Sequence, residues 1–339
     1  MANMKAVGLY RYLPITDTES LVDVEVPKPV PQGNDLLVRV MAISVNPVDT
    51  KIRSPKERVE QEPRILGWDV AGIVEETGPD STLFKKGDHV FYAGSVTRPG
   101  ANSEYHVVDE RIVGRKPETL SFAEAAALPL TAVTAWEALF DRLGIPESGN
   151  ENANLLIIGA AGGVGSIAVQ LAKRAGLTVI GTASRPESTQ WIKDRGADHI
   201  INHYEDYLPQ LKEIGLEGVD YILCLNRTEM HWDNMAKAIN PQGKICSIYE
   251  TEEKLNLFPL FNKSVTFVWE LMFTRAMFGT HDMIRQHEIL DKISELIDSG
   301  ELQTTVNEIL SPINAENVRK AHAMLEDGKT IGKIVIEGF

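Results

Sequence analysis

Apolar and polar residues follow different patterns in successive blocks of the chain. Up to about residue 120, short strand-like runs are separated by glycine and proline turns. These runs cover residues 5–10, 35–44, 70–76, 89–92 and 104–108. From about 122 to 143 the spacing of apolar residues becomes helical. The first block is therefore predicted to be rich in β-structure and to end in helices.

Beyond residue 154, strand-like and helical patterns alternate. Short apolar runs typical of buried parallel strands cover residues 155–158, 177–180, 199–201, 219–224, 244–248 and 264–269. This alternation predicts an α/β unit with a doubly wound parallel sheet. It is followed by a predicted helix at about 281–299, a strand at 304–309, a helix at 315–326 and a strand at 333–336.

This order of blocks predicts one domain inserted into another. We assign residues 1–127 and 275–339 to the β-rich domain, and residues 128–274 to the domain with the parallel sheet. Ligands are expected in the cleft between two such domains.

A glycine-rich turn follows the first strand of the parallel sheet. Gly162, Gly163 and Gly165 lie between an apolar run and an amphipathic helix, with Val164 among them, and Ala160 takes the first fingerprint position. Strand, glycine turn and helix in this order aim backbone N–H groups at one spot, which suits a pyrophosphate. The alternative is a turn that only lets the helix pack closely on the strand. No Lys-Ser or Lys-Thr follows the glycines, which excludes a P-loop.

The end of the second strand bears on the choice of cofactor. NAD-binding folds place an acidic residue about 20 residues past the glycines, to hold the ribose hydroxyls. Here that position is Ala183, and Ser184 and Arg185 follow. A hydroxyl and a guanidinium suit a 2′-phosphate, so the sequence favours NADP(H). The alternative is that Arg185 is an ordinary surface charge.

Composition narrows the choice of partner and compartment. The chain has 339 residues, 43% of them hydrophobic and 24% charged, with a net charge of −14. This charge argues against nucleic acid and against an anionic membrane surface as partners. Cys224 and Cys246 each lie in an apolar run and are predicted to be buried core residues. No signal-peptide core or run of 18 apolar residues is present, so a cytoplasmic location is expected.

Several motifs in a fixed order resemble those of a known family. They cover residues 46–53, 66–75, 87–91, 128–136, 159–165 and 327–335. Together they resemble the medium-chain dehydrogenase/reductase superfamily, in the quinone oxidoreductase-like branch whose members are often labelled zinc-type alcohol dehydrogenase-like. The resemblance implies a GroES-like β-rich substrate domain built from both ends of the chain and a central Rossmann domain. It also implies NADPH as cofactor and a homodimer.

The same resemblance identifies residues that differ from the zinc-dependent members. Their metal ligands are a Cys, a His with an adjacent Glu, and a second Cys; the corresponding positions here are Asn46, Trp68-Asp69 and Leu130. The expected proton-relay hydroxyl is replaced by Val48, and residues 93–101 contain none of the cysteines of the structural zinc lobe. Zinc needs three or four converging nitrogen or sulfur ligands, with carboxylate oxygen also possible. We therefore expect no metal.

Without zinc, the chemistry must suit an acceptor that needs little electrophilic help. A simple ketone requires stabilisation of a developing alkoxide, which is usually the largest catalytic effect. A quinone or an α,β-unsaturated carbonyl is already activated and delocalises the incoming charge. The sequence thus favours NADPH-dependent reduction of a quinone or enone. The alternatives are a zinc-dependent alcohol dehydrogenase and a non-enzymatic NADPH-binding sensor.

The resemblance also implies candidate site residues. Asn46 would donate a hydrogen bond to the substrate oxygen or, alternatively, only cap a turn. Asp49 is a further candidate, with a structural role favoured, and Trp68 would be an apolar wall for a flat substrate or a core residue. Thr134 would lie beside the nicotinamide ring, unless it is only a helix hydroxyl. The remaining predicted cofactor contacts are His203, Tyr204 and Lys333.

Overall fold

The computed structural model describes residues 2–149 and 152–339. Within them the chain forms two compact units. The first contains the residues up to Val133 together with Phe273–Phe339, and the second is Thr134–Met272. The boundaries expected from the sequence, after residues 127 and 274, stand a few residues from these.

Strands and helices are numbered here in chain order. The strands are β1 (Asn3–Tyr12), β2 (Val22–Pro27), β3 (Asp35–Ser44), β4 (Lys56–Ile65), β5 (Asp69–Thr77), β6 (His89–Tyr92), β7 (Tyr105–Asp109), β8 (Val113–Arg115), β9 (Asn154–Ile158), β10 (Thr178–Thr182), β11 (His199–Ile201), β12 (Val219–Cys224), β13 (Ile239–Ser247), β14 (Thr266–Trp269), β15 (Val306–Leu310) and β16 (Lys333–Glu337). The α-helices are α1 (Pro47–Arg53), α2 (Phe122–Ala126), α3 (Pro129–Trp136), α4 (Gly163–Arg174), α5 (Pro186–Asp194), α6 (Tyr207–Glu213), α7 (Thr228–Ala238), α8 (Phe258–Phe261), α9 (Thr274–Phe278), α10 (Arg285–Asp298) and α11 (Ala315–Glu326). A π-helix, Glu137–Arg142, follows α3 directly.

The first unit is built on two sheets. One is three-stranded, in the order β2-β1-β4, and the other runs β15-β16-β3-β5-β6-β8, with β7 paired to β3. The register of the larger sheet matters for the site. Ser44 at the end of β3 pairs with Asp69 at the start of β5 and with Val335 in the middle of β16, two residues after Lys333. Three segments that are distant in sequence therefore meet at one end of three adjacent strands.

The second unit contains the doubly wound sheet that the alternating pattern predicts. Its six strands run β11-β10-β9-β12-β13-β14, and every pair is parallel. Strand order reverses direction between β9 and β12, which is where such sheets bind ligands beyond the carboxyl ends of the strands. Cys224 and Cys246 are both buried in this unit, as predicted.

The structure adds elements that the hydrophobic pattern does not reveal. Strand β4 is ten residues long but has no buried residue, so it lacks the alternation that marks a half-buried strand. Strands β2 and β8 and helix α1 are also additional, and β13 begins five residues before the run expected at 244–248. These elements are short or exposed, and their position depends on pairing with distant segments.

Candidate functional site

A buried polar cluster lies where β3, β5 and β16 meet. Asn46, Asp69 and Lys333 are 1%, 0% and 3% exposed. The Asn46 Nδ2 amide donates to Asp69 Oδ2 at 2.7 Å, and the Lys333 ammonium donates to the same oxygen at 3.1 Å. Lys333 Nζ also donates to Val45 O at 2.8 Å and to Asn46 Oδ1. A carboxamide, a carboxylate and an ammonium thus form one hydrogen-bonded network.

This network fixes which way the Asn46 carboxamide faces. An ammonium can only donate and an ionised carboxylate can only accept, so Oδ1 must face Lys333 and Nδ2 must face Asp69. One Nδ2 hydrogen is used by Asp69. The second has no acceptor among the residues that the structure describes. It is the donor that the cluster has left to offer.

Helix α3 contributes to the same cluster through its backbone. The Leu130 N–H donates to Asp69 Oδ1 at 2.7 Å, close to the start of Pro129–Trp136. The first N–H groups of a helix have no partner within the helix and favour negative charge. Both oxygens of Asp69 are therefore satisfied, one by Leu130 and the other by Asn46 and Lys333.

Asp49 lies beside this cluster on helix α1. It is 1% exposed, and its Oδ2 accepts the Asn46 N–H at 2.6 Å. Its Oδ1 is without a partner among the described residues. Burial raises the pKa of the Asp49 carboxyl to about 7; the hydrogen bond from Asn46 and the charge of Lys333 oppose this rise, and the charge of Asp69 adds to it. The contact with Asn46 supports the structural role favoured for Asp49, since it holds the start of α1.

A second buried network holds the loop that follows β6. His106 Nε2 lies 3.0 Å from Pro99 O, and His106 Nδ1 lies 3.0 Å from the Tyr92 hydroxyl. Burial lowers the pKa of His106 to about 4, so the ring is neutral. Because a carbonyl only accepts, Nε2 carries the hydrogen and Nδ1 accepts from Tyr92. Arg98 in the same loop forms a two-bond ion pair with Asp35, at 2.8 and 3.0 Å.

The glycine turn in the second unit has the geometry of a phosphate cradle. Gly159, directly after β9, has φ +83°, a conformation that favours glycine. Gly162 is the N-cap of α4, which starts at Gly163. A Cβ on Gly165 would lie 2.6 Å from the backbone of Ala160, so the helix packs on the turn at a distance that only glycine permits. The first N–H groups of α4 are left for a ligand.

Two further predicted segments lie at the same edge of this sheet. Ser184 and Arg185 follow β10, where Arg185 is the N-cap of α5 and Ser184 is exposed. His203 and Tyr204 follow β11, their ring centroids 4.3 Å apart. Since β9, β10 and β11 are adjacent and parallel, their carboxyl ends meet at one edge. The parallel sheet therefore places the glycine turn and both segments at one edge of the second unit.

His203 and Tyr204 differ in exposure. Tyr204 is 76% exposed, whereas His203 is half-buried, and burial lowers the pKa of the His203 imidazole. Behind His203 lies His231, with ring centroids 6.4 Å apart, and His231 Nδ1 is hydrogen-bonded to the Tyr207 hydroxyl at 2.7 Å. Burial lowers the pKa of His231 to about 4. Tyr204 thus presents its ring to solvent, with the tilted imidazole of His203 beside it.

Comparison with known proteins finds relatives for both units of the chain. Residues 32–134 match the model of the alcohol dehydrogenase GroES-like domain, and residues 195–336 match that of zinc-binding dehydrogenases. A zinc-type alcohol dehydrogenase-like protein of Staphylococcus aureus is 46% identical over 335 residues, which is 98% of this chain and 99% of the relative. The chain belongs to the medium-chain dehydrogenase/reductase superfamily, in its quinone oxidoreductase-like branch.

Solved structures of this superfamily share the fold over the full chain. A protein of Rhizobium etli, provisionally assigned as a zinc-dependent alcohol dehydrogenase, is 51% identical with a TM-score of 0.95, covering 100% of this chain and 99% of its own. Quinone oxidoreductase of Escherichia coli, crystallised with NADPH, is 26% identical with a TM-score of 0.82, covering 98% and 99%. The predicted GroES-like and Rossmann domains are confirmed, and the chain is a medium-chain oxidoreductase.

Zinc, which several of these family names imply, does not match the residues present. The positions corresponding to metal ligands hold the carboxamide of Asn46, the indole of Trp68 beside the carboxylate of Asp69, and the alkyl side chain of Leu130, with no thiolate or imidazole. The ammonium of Lys333 already binds both the Asn46 and Asp69 side chains. A second cation there would face repulsion from it. Across residues 2–149 and 152–339, no group of three His, Cys, Asp or Glu is arranged to hold a metal ion.

The structure places the other predicted site residues of this medium-chain oxidoreductase differently from one another. Trp68 is 1% exposed and packs edge-on against Phe273, with ring centroids 6.4 Å apart, so it lies in the core and has no exposed face for a flat substrate. Thr134 is 4% exposed in α3; its contact with a nicotinamide ring stays a prediction. Lys333, expected to contact the cofactor, has its ammonium directed at Val45, Asn46 and Asp69 instead.

The role of Lys333 as partner of Asp69 is what sequence reasoning missed. Each residue is a charge at the edge of an apolar run, Asp69 before Val70 and Lys333 before Ile334. A charge at the end of a buried strand needs a counter-charge, so the two signals exist. What the sequence lacks is the pairing of β5, β3 and β16 that joins them.

The part of the chain that the structure describes contains no helix of the length and hydrophobicity needed to span a membrane.

Proposed function

We propose that this chain is a zinc-independent oxidoreductase that uses NADPH to reduce quinones or α,β-unsaturated carbonyl compounds by hydride transfer. The observation that carries the proposal is the Asp69–Lys333 ion pair, bridged by Asn46. Asn46 and Asp69 stand at positions that belong to the metal-ligand set of zinc-dependent relatives, and Lys333 brings a positive charge to them. A site centred on an ammonium and a carboxylate offers hydrogen bonds rather than Lewis-acid activation. Such a site suits an acceptor that is activated by its own conjugation.

The residues of the second unit support NADPH as the cofactor. The Gly162 turn and the first N–H groups of α4 would hold the pyrophosphate, and Ser184 and Arg185 would receive the 2′-phosphate. The absence of an acid at Ala183 removes the usual ribose ligand of NAD-dependent enzymes. Tyr204, exposed on His203, would stack on the adenosine side. NADPH supplies the hydride when bound.

Asn46 is the residue that we assign to the acceptor. Its remaining Nδ2 hydrogen would donate to the carbonyl oxygen of the quinone or enone, which gains negative charge during reduction. In a buried setting such a hydrogen bond is electrostatically stronger than in water. One proton from solvent completes the reaction, which yields NADP⁺ and the hydroquinone or the saturated carbonyl compound.

The test is NADPH oxidation with a panel of quinones, enones and simple ketones, and NADP⁺ reduction with primary alcohols, on native and exhaustively chelated protein. We expect reduction of at least one quinone or enone, unchanged after chelation, and negligible oxidation of primary alcohols. Zinc at one per chain, with alcohol oxidation that is lost on chelation and restored by zinc, would overturn the proposal in favour of an alcohol dehydrogenase. Tight NADPH binding without turnover of any acceptor would instead favour a non-enzymatic NADPH sensor.

A further inference from the structure

The ammonium of Lys333 is fully matched by its surroundings. A lysine has three N–H donors, and Lys333 Nζ has three acceptors: Val45 O, Asn46 Oδ1 and Asp69 Oδ2. No donor is left for a cofactor or a substrate. At 3% exposure the charge also needs a carboxylate beside it, and Asp69 provides one. Whatever Lys333 does for the reaction, it does through Asn46 and Asp69.

We propose that the Lys333 ammonium is a built-in cation of this site, and that it performs internally two tasks that a bound metal ion performs elsewhere. It neutralises the buried carboxylate of Asp69, and it fixes the Asn46 carboxamide so that one Nδ2 hydrogen remains to donate. Lys333 is thus a positioning residue. The inference rests on the proposed function for its meaning in catalysis, whereas its physical test does not require turnover.

The geometry gives this inference a specific consequence. Lys333→Ala removes the three outer methylene groups and the ammonium, which together have the shape of propylammonium. The variant leaves three oxygen acceptors around an empty volume of that shape. Propylammonium added to the buffer should therefore bind in the variant and replace the missing group. Tetramethylammonium carries the same charge but has no N–H to donate, so it serves as the matched control cation.

Melting temperature is the first measurement. Loss of one partner from a buried ion pair should lower the melting temperature of Lys333→Ala by about 10 °C. Propylammonium should recover at least half of that loss and leave the native protein unchanged, while tetramethylammonium at equal concentration should recover none. If Lys333→Ala does not fold, Lys333→Met combined with Asp69→Asn removes both charges and should melt well above Lys333→Met alone. Equal melting of those two variants would overturn the proposal.

Kinetics and cofactor binding separate positioning from bulk stability. In folded Lys333→Ala we expect kcat to fall about 10–100-fold, in line with the loss of groups that orient catalytic ligands. The dissociation constant for NADPH should change less than about twofold, and propylammonium should restore part of kcat. Lys263→Ala is the matched control variant, because Lys263 Nζ donates to three main-chain carbonyls, of Ala236, Lys237 and Ile239. Lys263→Ala should have a lower melting temperature than the native protein and an unchanged kcat.

Each remaining outcome is decisive. Equal recovery of the Lys333→Ala melting temperature by propylammonium and tetramethylammonium would contradict a specific binding site for an ammonium group. Weakened NADPH binding with unchanged stability would show that Lys333 is a cofactor contact and would also overturn the inference. If no acceptor is turned over at all, the proposed function fails, but the melting and rescue measurements still decide the role of Lys333.

Discussion

The polar cluster around Asp69 and the glycine turn after β9 handle charge in opposite ways. In the cluster the chain supplies both charges itself, and each oxygen of Asp69 has a donor. At the turn the chain supplies only backbone N–H groups at the start of α4, and the proposed pyrophosphate would bring the negative charge. In the first arrangement the two charges balance each other, whereas the second leaves backbone donors that the proposed cofactor would use. Substitutions in the cluster should therefore change folding stability, whereas those near the turn should change binding.

The largest effect is expected for Asp69→Ala. The substitution leaves the Lys333 ammonium buried without a counter-charge and the Leu130 N–H without its acceptor. We expect a loss of about 3–5 kcal/mol in the free energy of unfolding, measured by chemical denaturation. Glu295→Ala is the control, because the Lys292–Glu295 pair is exposed and should contribute at most about 1 kcal/mol. Similar small losses of stability in both variants would mean that Asp69 is not needed as the counter-charge of Lys333.

Asp49→Asn tests the cluster through pH. Burial raises the pKa of the Asp49 carboxyl to about 7 in the folded state, from its ordinary value of 3.8 in the unfolded chain. Between these values the folded state holds a proton that the unfolded chain has released, so this residue lowers stability as pH rises and contributes no further change above about 7. We expect native protein and variant to match near pH 4, and the variant to be more stable by about 2–4 kcal/mol at pH 8.

Urea unfolding at several pH values checks this prediction. The difference between variant and native protein should grow steadily across the acidic range and then level off. A difference that stays constant with pH would show that Asp49 titrates at its ordinary value.

The smallest effect is expected at the cofactor edge, and on binding alone. Arg185→Ala should weaken NADPH binding by about 1–3 kcal/mol, through loss of a charge-assisted contact to the 2′-phosphate, and leave NADH binding nearly unchanged. Stability should be unaffected. Lys193→Ala, an exposed residue in the last turn of the same helix, should change neither cofactor. Equal loss for NADPH and NADH in calorimetric titrations would exclude recognition of the 2′-phosphate by Arg185.

The same contrast explains which parts the sequence could predict. The β9–α4–β10 segment lies within about thirty residues, and its strand, turn and helix patterns are local, so its structure follows from the order of residues. Helix α11 likewise covers 315–326, as its periodicity predicts. Strand β4 could not be predicted, because exposed charged residues carry no alternation to mark it.

The cluster could be predicted only in part. The resemblance to zinc-dependent relatives aligned Asn46, Asp69 and Leu130, and these positions do converge. The decisive partner, Lys333, is 264 residues from Asp69, and only the register of β3 against β5 and β16 brings them together. Register depends on which strands pair across the whole unit, information that no single segment contains. Its expected role as a cofactor contact came from its motif, which does not record where the ammonium points.

Because β16 is the last of the described strands in the chain, the ribosome synthesises it after all the strands with which it shares a sheet. A nascent chain that has emerged through Met272 contains every strand of the second unit, so that unit can fold during synthesis. At that moment β3 and β5 still lack β16, and Asp69 has no ammonium to neutralise it. The unit whose synthesis starts first is thus the one completed last. Until Lys333 has been synthesised, burial of Asp69 in the core of the first unit would leave its carboxylate without a counter-charge, which is unfavourable.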